Sequence, residues 1–562
     1  MNVGRNKHLL LWTSILTLVL LVGAALRENV ASEWRVLQRG YRARLAPEAA
    51  REFNVQLRQV YVPAVGAVDR CVSCHVGMAS GESGIDGDPL YARHPRIPHD
   101  PADFGCVICH GGQGRATRSA DAHGAVHHWP EPMIPGARSD AGCGACHTHL
   151  AVPNHGEFTR GAALFERLDC LACHAVDGRG GTLRPGQMQV TGPDLSLAGA
   201  SGFDPEWYAR HIAHRDSAVA GAATGPWRTS MSEIGESDRA ALAVFLRSRV
   251  GAPGLMAAKT IFHSLGCRGC HKVTGVGGDD GPDLTRVGER DPGQLDFTHV
   301  PGERTLANWF AEHFRAPATV VPGSVMPALG LTEEEISALT TYMLSLRRAD
   351  LPGTYWPVDR IQAERLDARE FSTDGATLYG AFCAACHGQR GEGMRYPGGH
   401  PFPAVGNPDF LALATDSFVT ATVRHGRPGR RMPAWGEGAG GLRPEEIAAV
   451  VAHVRAVGGV PAAVETRSVR WVAAAADEGG RLYAANCARC HGANGEGGEG
   501  PMLANPVLLA SATDTYLVET IRRGRRGTAM PPFTTSSTIW RLLSDSEIES
   551  IVAFIRTWEV RP

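Results

Sequence analysis

The chain has 562 residues, with Lys+Arg 56 against Asp+Glu 58 and a formal net charge of −2. That length exceeds what one hydrophobic core supports and requires several domains. The lack of a basic excess argues against a nucleic-acid partner, and Gly 67 with Pro 36 marks a loop-rich protein.

Arg5 and Lys7 precede an apolar run from Leu9 to Leu26. At about 1.5 Å per residue this run covers roughly 27 Å, enough for a bilayer core. A cleaved signal peptide has a shorter apolar core and a small-x-small site. Here the run continues past Ala24-Ala25 to Leu26 and then meets Arg27-Glu28. The reading is an uncleaved anchor over residues 1–30, with Arg5 and Lys7 on the cytoplasmic side. Residues 31–62 read as helical segments broken near Pro47, serving as a spacer or as a dock for a membrane subunit.

From there the chain is punctuated by one pattern, Cys-x-x-Cys-His, in seven copies: Cys71/Cys74/His75, Cys106/Cys109/His110, Cys143/Cys146/His147, Cys170/Cys173/His174, Cys267/Cys270/His271, Cys383/Cys386/His387 and Cys487/Cys490/His491. The chain has Cys 14, and the seven motifs use them all. A lone copy could be a zinc half-site or a redox dithiol. Seven copies, each with its histidine, are the attachment signature of c-type haem. Both thiols tether the porphyrin and the adjacent imidazole becomes the proximal iron ligand. The expectation is seven haem c. In bacteria this cofactor is attached outside the cytoplasm, which puts the haem domains in the periplasm beside an inner-membrane anchor.

Residues 63–155 hold three motifs among dense Gly and Pro turn signals. Such a stretch must rely on its cofactors for a core. Distal ligands are sought among His94, His99, His123, His127, His128, His149 and His155. The leading candidates for bis-histidine ligation are His94 or His99, His123, and His127 or His128. Met78 and Met133 are the alternatives.

Residues 156–252, 253–350, 365–460 and 470–562 read as four repeats. Each has an aromatic-bearing helix before the motif: Phe165 before Cys170, Phe262 before Cys267, Tyr379 before Cys383 and Tyr483 before Cys487. A loop methionine follows, Met231, Met326, Met432 or Met530, with Met188 competing with the first. Closing helices are expected near 237–248, 332–346, 444–456 and 545–558. Thr332/Glu335 and Ser544/Glu547 read as capping boxes, with Leu331/Ile336 and Leu543/Ile548 as hydrophobic staples. On these features each repeat resembles a class I monohaem cytochrome c domain. The resemblance implies the four methionines as distal ligands. It also implies that a proline carbonyl, from Pro193, Pro282, Pro403 or Pro501, holds the proximal imidazole. The segments Ala414–Met432 and Ala512–Met530 run parallel, which points to pairwise duplication. The fold class expected is mainly α: a transmembrane helix, a loop-rich trihaem segment and four tandem cytochrome c domains.

The segments Asp69-Arg70-Cys71 and Phe104-Gly105-Cys106, with Gly111-Gly112-Gln113-Gly114 after the latter, resemble membrane-anchored multihaem cytochromes found beside cytochrome b and Rieske-type components. That resemblance implies an electron-transfer subunit of a quinol-oxidising complex, partnered by membrane subunits and by a redox protein or other acceptor. The ligands order the haems from lower potential near the membrane to higher potential outward, because a thioether favours ferrous iron. Two other readings stay open: a catalytic multihaem reductase subunit with one five-coordinate haem, and a stand-alone electron wire. The arginines around the last two methionines (Arg424, Arg427, Arg430, Arg431; Arg522, Arg523, Arg525, Arg526) are either a solvated, propionate-neutralising surface or a docking patch for an acidic partner.

Overall fold

A computed structural model describes residues 3–559, except 96, 127–128, 130–131, 173, 182–191, 202, 204–205, 209–211, 213–233 and 398–400. The architecture is mainly helical, with two short two-stranded hairpins among the described residues.

Helix α1, Val3–Asn29, carries its apolar residues on every side, and Leu9 through Val22 remain exposed within the chain. It is long and apolar enough to cross a membrane. Helix α2, Glu33–Arg42, follows directly. It is built into the segment that follows: Trp34, Gln38 and Tyr41 are buried. Gln38 Nε2 donates to Ser73 O (2.9 Å) and Gln56 O (2.8 Å), and Tyr91 Oη donates to Leu37 O (2.9 Å). Glu33 accepts from Ser119 N and Oγ (3.0 and 2.6 Å). The helical reading of residues 31–62 holds to Glu52. Beyond it the chain is extended, and β1 (Val60–Val62) pairs antiparallel with β2 (Ala67–Asp69).

Residues 63–155 contain short helical turns and little else. Their apolar cluster is small: Tyr41, Phe53, Val76 and Tyr91, two of which come from the preceding segment.

The four repeats share one packing rule. The helix leading to each motif crosses the closing helix: α3 (His155–Arg167) on α4 (Glu236–Arg247), α5 (Pro253–Ser264) on α7 (Glu333–Ser345), α8 (Gly375–Phe382) on α10 (Pro444–Gly458), and α11 (Ala476–Asn486) on α13 (Asp545–Arg556). The crossing is backbone-close. A Cβ on Gly161, Gly375 or Gly479 would lie 2.1, 2.2 or 1.8 Å from the carbonyl oxygen of Ala241, Ala449 or Ser550. Each of these glycines sits four residues before the aromatic residue of its helix, and the second repeat has the fully buried Ala258 there. Both capping boxes form, and Leu543 and Ile548 are buried beside the second. Helix α6, Leu306–Arg315, covers the second repeat. Helices α9 (Asp416–His425) and α12 (Asp514–Arg523) occupy the corresponding place in the last two.

The last two repeats share one continuous core, which contains Leu378, Phe382, Leu411, Ile447, Tyr483, Leu509, Ile548 and Ile551. They meet about a local two-fold. Asn407 Nδ2 donates to Arg526 O (2.9 Å), and Asn505 Nδ2, 98 residues on, donates to Pro428 O (3.0 Å). Phe418 and Tyr516, equivalent by the same offset, stack at 4.8 Å between ring centroids. Such reciprocal contacts define an isologous interface inside one chain.

Candidate haem sites

In the trihaem segment the described histidines come in facing pairs. The rings of His75 and His123 lie 6.3 Å apart between centroids, those of His94 and His110 6.0 Å, and those of His99 and His147 5.8 Å. The Nε2 atoms of His99 and His147 approach to 3.5 Å. A metal–imidazole bond is roughly 2 Å long, so an iron shared by two imidazoles sets its nitrogens about 4 Å apart. The His99–His147 pair has nearly that separation, and the other two pairs have similar centroid distances. Two of the rings are oriented from behind. His147 Nδ1 lies 2.7 Å from Asp359 Oδ1, and His94 Nδ1 lies 2.7 Å from Pro95 O. Each contact leaves Nε2 to face the opposite ring. Burial, and then the facing imidazole, push His75, His99 and His110 below the usual histidine range. They are therefore neutral near pH 7, the form that ligates a metal.

The pairing interleaves the segment. His123, which follows the second motif, faces the first motif's histidine. His94, which precedes the second motif, faces that motif's histidine, and His99 faces the third. Of the sequence candidates, His94, His99 and His123 are brought to motif histidines. His127 and His128 lie outside the described residues. His149 instead meets Thr148 Oγ1 (2.8 Å) and His155 meets Thr260 Oγ1 (3.4 Å).

Asp69 organises the first two sites, and the motif search passed over it. It is fully buried, and it accepts from Cys71 N (2.9 Å) with one oxygen and from Cys106 N (2.7 Å) and Val107 N (2.9 Å) with the other. Ligand atoms of Asp69, Cys71 and Cys106 lie within 4.8 Å of one another. This cluster is a brace between two attachment motifs: both carboxylate oxygens are engaged by backbone N–H groups, and both sulfurs belong to Cys-x-x-Cys-His. Its sequence signal was the Asp two residues before the first cysteine.

In the four repeats the proximal rings are held alike. Nδ1 of His174, His271, His387 and His491 lies 2.9 Å from the carbonyl oxygen of Pro193, Pro282, Pro403 and Pro501 respectively. A ring that donates there keeps Nε2 as the nitrogen that could hold an iron. Met432 and Met530 pack against the shared core, each closing a turn in which its carbonyl accepts from Arg427 N (2.9 Å) or Arg525 N (3.0 Å). Met326 is half-buried, with its N donating to Ser324 Oγ (3.2 Å). Met231, Met188 and Cys173 lie outside the described residues. His313, on α6, is a residue the sequence reading missed. Its ring stacks on Trp309 at 4.9 Å and 9°. Burial and then His271 push it down to about 4, so it is a neutral imidazole within electrostatic reach of the second repeat's proximal ligand.

Burial pushes the Cys143, Cys267, Cys383 and Cys487 thiols each up to about 12, while Cys386 beside it lowers Cys270. In all seven motifs the backbone N–H of the histidine donates to the first cysteine's carbonyl oxygen at 2.9–3.0 Å. One turn thus spans each motif from its first cysteine to the imidazole, and together with the paired imidazoles these residues fit covalent haem.

Most of the arginines near the last two methionines are engaged within the chain. Arg431 pairs with Asp280 (2.7 Å), Arg526 with Asp409 (2.7 Å), and Arg522 and Arg523 with Glu519. Arg427 lies over the Phe418 ring at 5.6 Å, and Arg525 bonds Tyr516 Oη.

The family described as cytochrome c matches residues 158–249 and 255–347, and that described as cytochrome c oxidase, cbb3-type, subunit III matches 371–454 and 474–555. The chain is a multihaem c-type cytochrome. Its similarity to curated proteins falls on part of the sequence. It is 34% identical over 163 residues to a cbb3-type cytochrome c oxidase subunit FixP of Bradyrhizobium sp. (strain ORS 278), covering 27% of this chain and 51% of that protein. It is 29% identical over 217 residues to the subunit CcoP of Azospirillum sp. (strain B510), covering 35% and 66%. It is 35% identical over 92 residues to a cytochrome c oxidase subunit 2 of Alkalihalophilus pseudofirmus, covering 16% and 25%. The chain thus spans about half the length of the first of these relatives. The helical domains of this multihaem cytochrome are those of the cytochrome c families.

Proposed function

We propose that the chain is a heptahaem electron-transfer subunit, anchored in the bacterial inner membrane by α1 with its haem domains in the periplasm. In this reading it takes electrons near the membrane from a quinol-oxidising complex and delivers them, through its last two domains, to a terminal acceptor. The facing imidazoles of residues 63–155 carry it. His75 with His123, His110 with His94, and His147 with His99 would hold three bis-histidine haems. His174, His271, His387 and His491, with Met231, Met326, Met432 and Met530, would hold four histidine–methionine haems. The haem supplies a one-electron ferric–ferrous couple, and the polypeptide fixes its ligands, spacing and exclusion from water.

The similarity of residues 371–555 to cbb3-type oxidase subunits supports an oxidase, or a carrier serving one, as the acceptor. The reductase reading needs an iron with an open position, and its host was the trihaem segment. There each proximal histidine already faces a second one, which favours the carrier.

The test has two parts. Haem c assayed on the purified protein as its pyridine haemochrome should number seven per chain, and the reduced protein should bind carbon monoxide at well below one equivalent. Fewer haems, or one full equivalent bound rapidly, overturns the carrier reading. Mild solubilisation should co-purify membrane subunits with b-type haem; recovery of the chain alone favours the stand-alone wire.

A further inference from the structure

The order of the attachment sites in space differs from their order in sequence. The third motif is seated on the second cytochrome domain. Cys143 and Cys267, anchors of the third and fifth sites, pack against the same apolar core, which contains Ala141, Leu255, Ala258 and Phe262. Asp140 Oδ2 accepts from Gly254 N (2.7 Å) at the start of α5, the helix that leads to Cys267. Gly144 lies between the two cysteines of the third motif. A Cβ there would come within 2.4 Å of Ser345 O on α7. The third motif therefore touches both helices that frame the fifth.

The line then continues without a break. Cβ atoms on Gly266 and Gly269, beside and inside the fifth motif, would lie 3.0 Å from Ala385 Cβ and 3.1 Å from Phe382 O of the sixth. Arg431 of the third cytochrome domain bonds Asp280 of the second at 2.7 Å. The sixth and seventh sites share the two-fold core.

The first cytochrome domain, residues 156–252, stands beside this line. Its core of Leu164, Phe165, Ala241, Leu242 and Phe245 is a separate cluster, and Cys170 packs against it. Helix α3 meets α5 at its first residue, where His155 Nδ1 lies 3.4 Å from Thr260 Oγ1. It then runs 13 residues, about 20 Å, before the chain reaches Cys170. At its other end the Arg249–Asp177 pair (2.9 Å) is internal to the domain, and a Cβ on Gly251 would lie 3.4 Å from Pro98 Cδ, next to His99 that faces the third motif's histidine.

We propose that the fourth site is a side branch attached at the third, and that the third and fifth sites are direct neighbours. This rests on the seven-haem reading above. An electron lost by a ferrous third haem then reduces a ferric fifth haem without passing through the fourth, which exchanges electrons with the line as a one-electron reservoir. The branch also gives the molecule a second outlet besides its carboxy-terminal domain.

The experiment is to locate the irons in the holoprotein by anomalous scattering at the iron edge. The expected result is a third-to-fifth distance shorter than the fourth-to-fifth distance. A fourth iron lying between the third and fifth, closer to each than they are to one another, overturns the branch. The count of irons is read separately: seven irons with the fourth in line sinks only this inference, whereas fewer than seven sinks the heptahaem reading.

Discussion

Residues 63–155 and residues 371–555 both crowd attachment sites together, by opposite means. The first region has a small apolar cluster, two of whose four residues are lent by the preceding segment, very short helices, and histidines that cross from one motif to another. The second has a continuous core of two helical domains, and each motif histidine is held by a proline 16 or 10 residues on in its own domain. In the first region the cofactor would be the core, so that loss of one haem should undo its neighbours. In the second the protein is the core, and each haem would be a tenant of its own domain.

Removing one haem from each region separates the two designs most widely. Cys106→Ala with Cys109→Ala should leave residues 63–155 unfolded, read as rapid proteolytic cleavage there and loss of more than one haem per chain. Cys487→Ala with Cys490→Ala should remove one haem and leave the third cytochrome domain resistant to protease. Equal haem loss in both variants would erase the contrast.

The next effect lies where the halves of the molecule meet. Glu370 bonds Lys259 Nζ (3.0 Å) and Arg268, both buried, and Arg268 sits between Cys267 and Cys270. Burial alone would raise the Glu370 carboxyl, but Lys259 and then Arg268 hold it down at about 2. A folded-state value below the ordinary 4.5 means its contribution is complete above pH 4.5 and disappears as pH falls towards 2. Glu370→Gln strands two buried cations and should cost about 4 kcal/mol. Denaturant midpoints measured at pH 6 and pH 3 should fall together less steeply in the variant than in the wild type. An identical slope would show that Glu370 does not titrate in this window.

A third effect tests the helix crossing. Gly479→Ala drives a methyl group into Ser550 O and should destabilise the last domain by about 3 kcal/mol. Gly438→Ala, with nothing within 4 Å of the new Cβ, should change stability by under about 0.5 kcal/mol. Thermal unfolding followed at the haem absorption reads both.

These contrasts mark how far the sequence could be read. The last two domains were legible because their signals are local. An aromatic residue precedes each motif, Ser544 and Glu547 cap one closing helix, and a 98-residue offset relates Met432 to Met530. The trihaem segment was legible only in its motifs. Which histidine faces which depends on chain crossings that no local spacing encodes, so His123 could be named a candidate but not assigned to His75. Gln38 and Tyr41 fell in a stretch read only as a spacer or a dock, because burial through bonds to Ser73 O (2.9 Å) and Ser83 O leaves no periodic trace. Glu370 was invisible, and the role of Asp69 hidden although the residue stands beside the first motif, for the same reason: a carboxylate that braces a distant segment looks like any surface acid until the fold buries it. His313 escaped because histidine was sought only where it was abundant.

The smallest effect probes the local two-fold. Asn407 and Asn505 make equivalent bonds across it, yet Asn505 is fully buried and Asn407 is half-exposed. Each also caps a short helix through its side-chain oxygen, Asn407 at Asp409 N (3.0 Å) and Asn505 at Leu508 N (3.2 Å). Replacing either by Ala removes one interdomain bond and one cap. At Asn505 the substitution also leaves a gap at a fully buried position, which adds to the penalty. Asn505→Ala should therefore cost about 2 kcal/mol and Asn407→Ala about 1 kcal/mol. Equal losses in chemical denaturation would mean that water reaches both sides of the interface and that the two-fold is as symmetric in energy as it is in sequence.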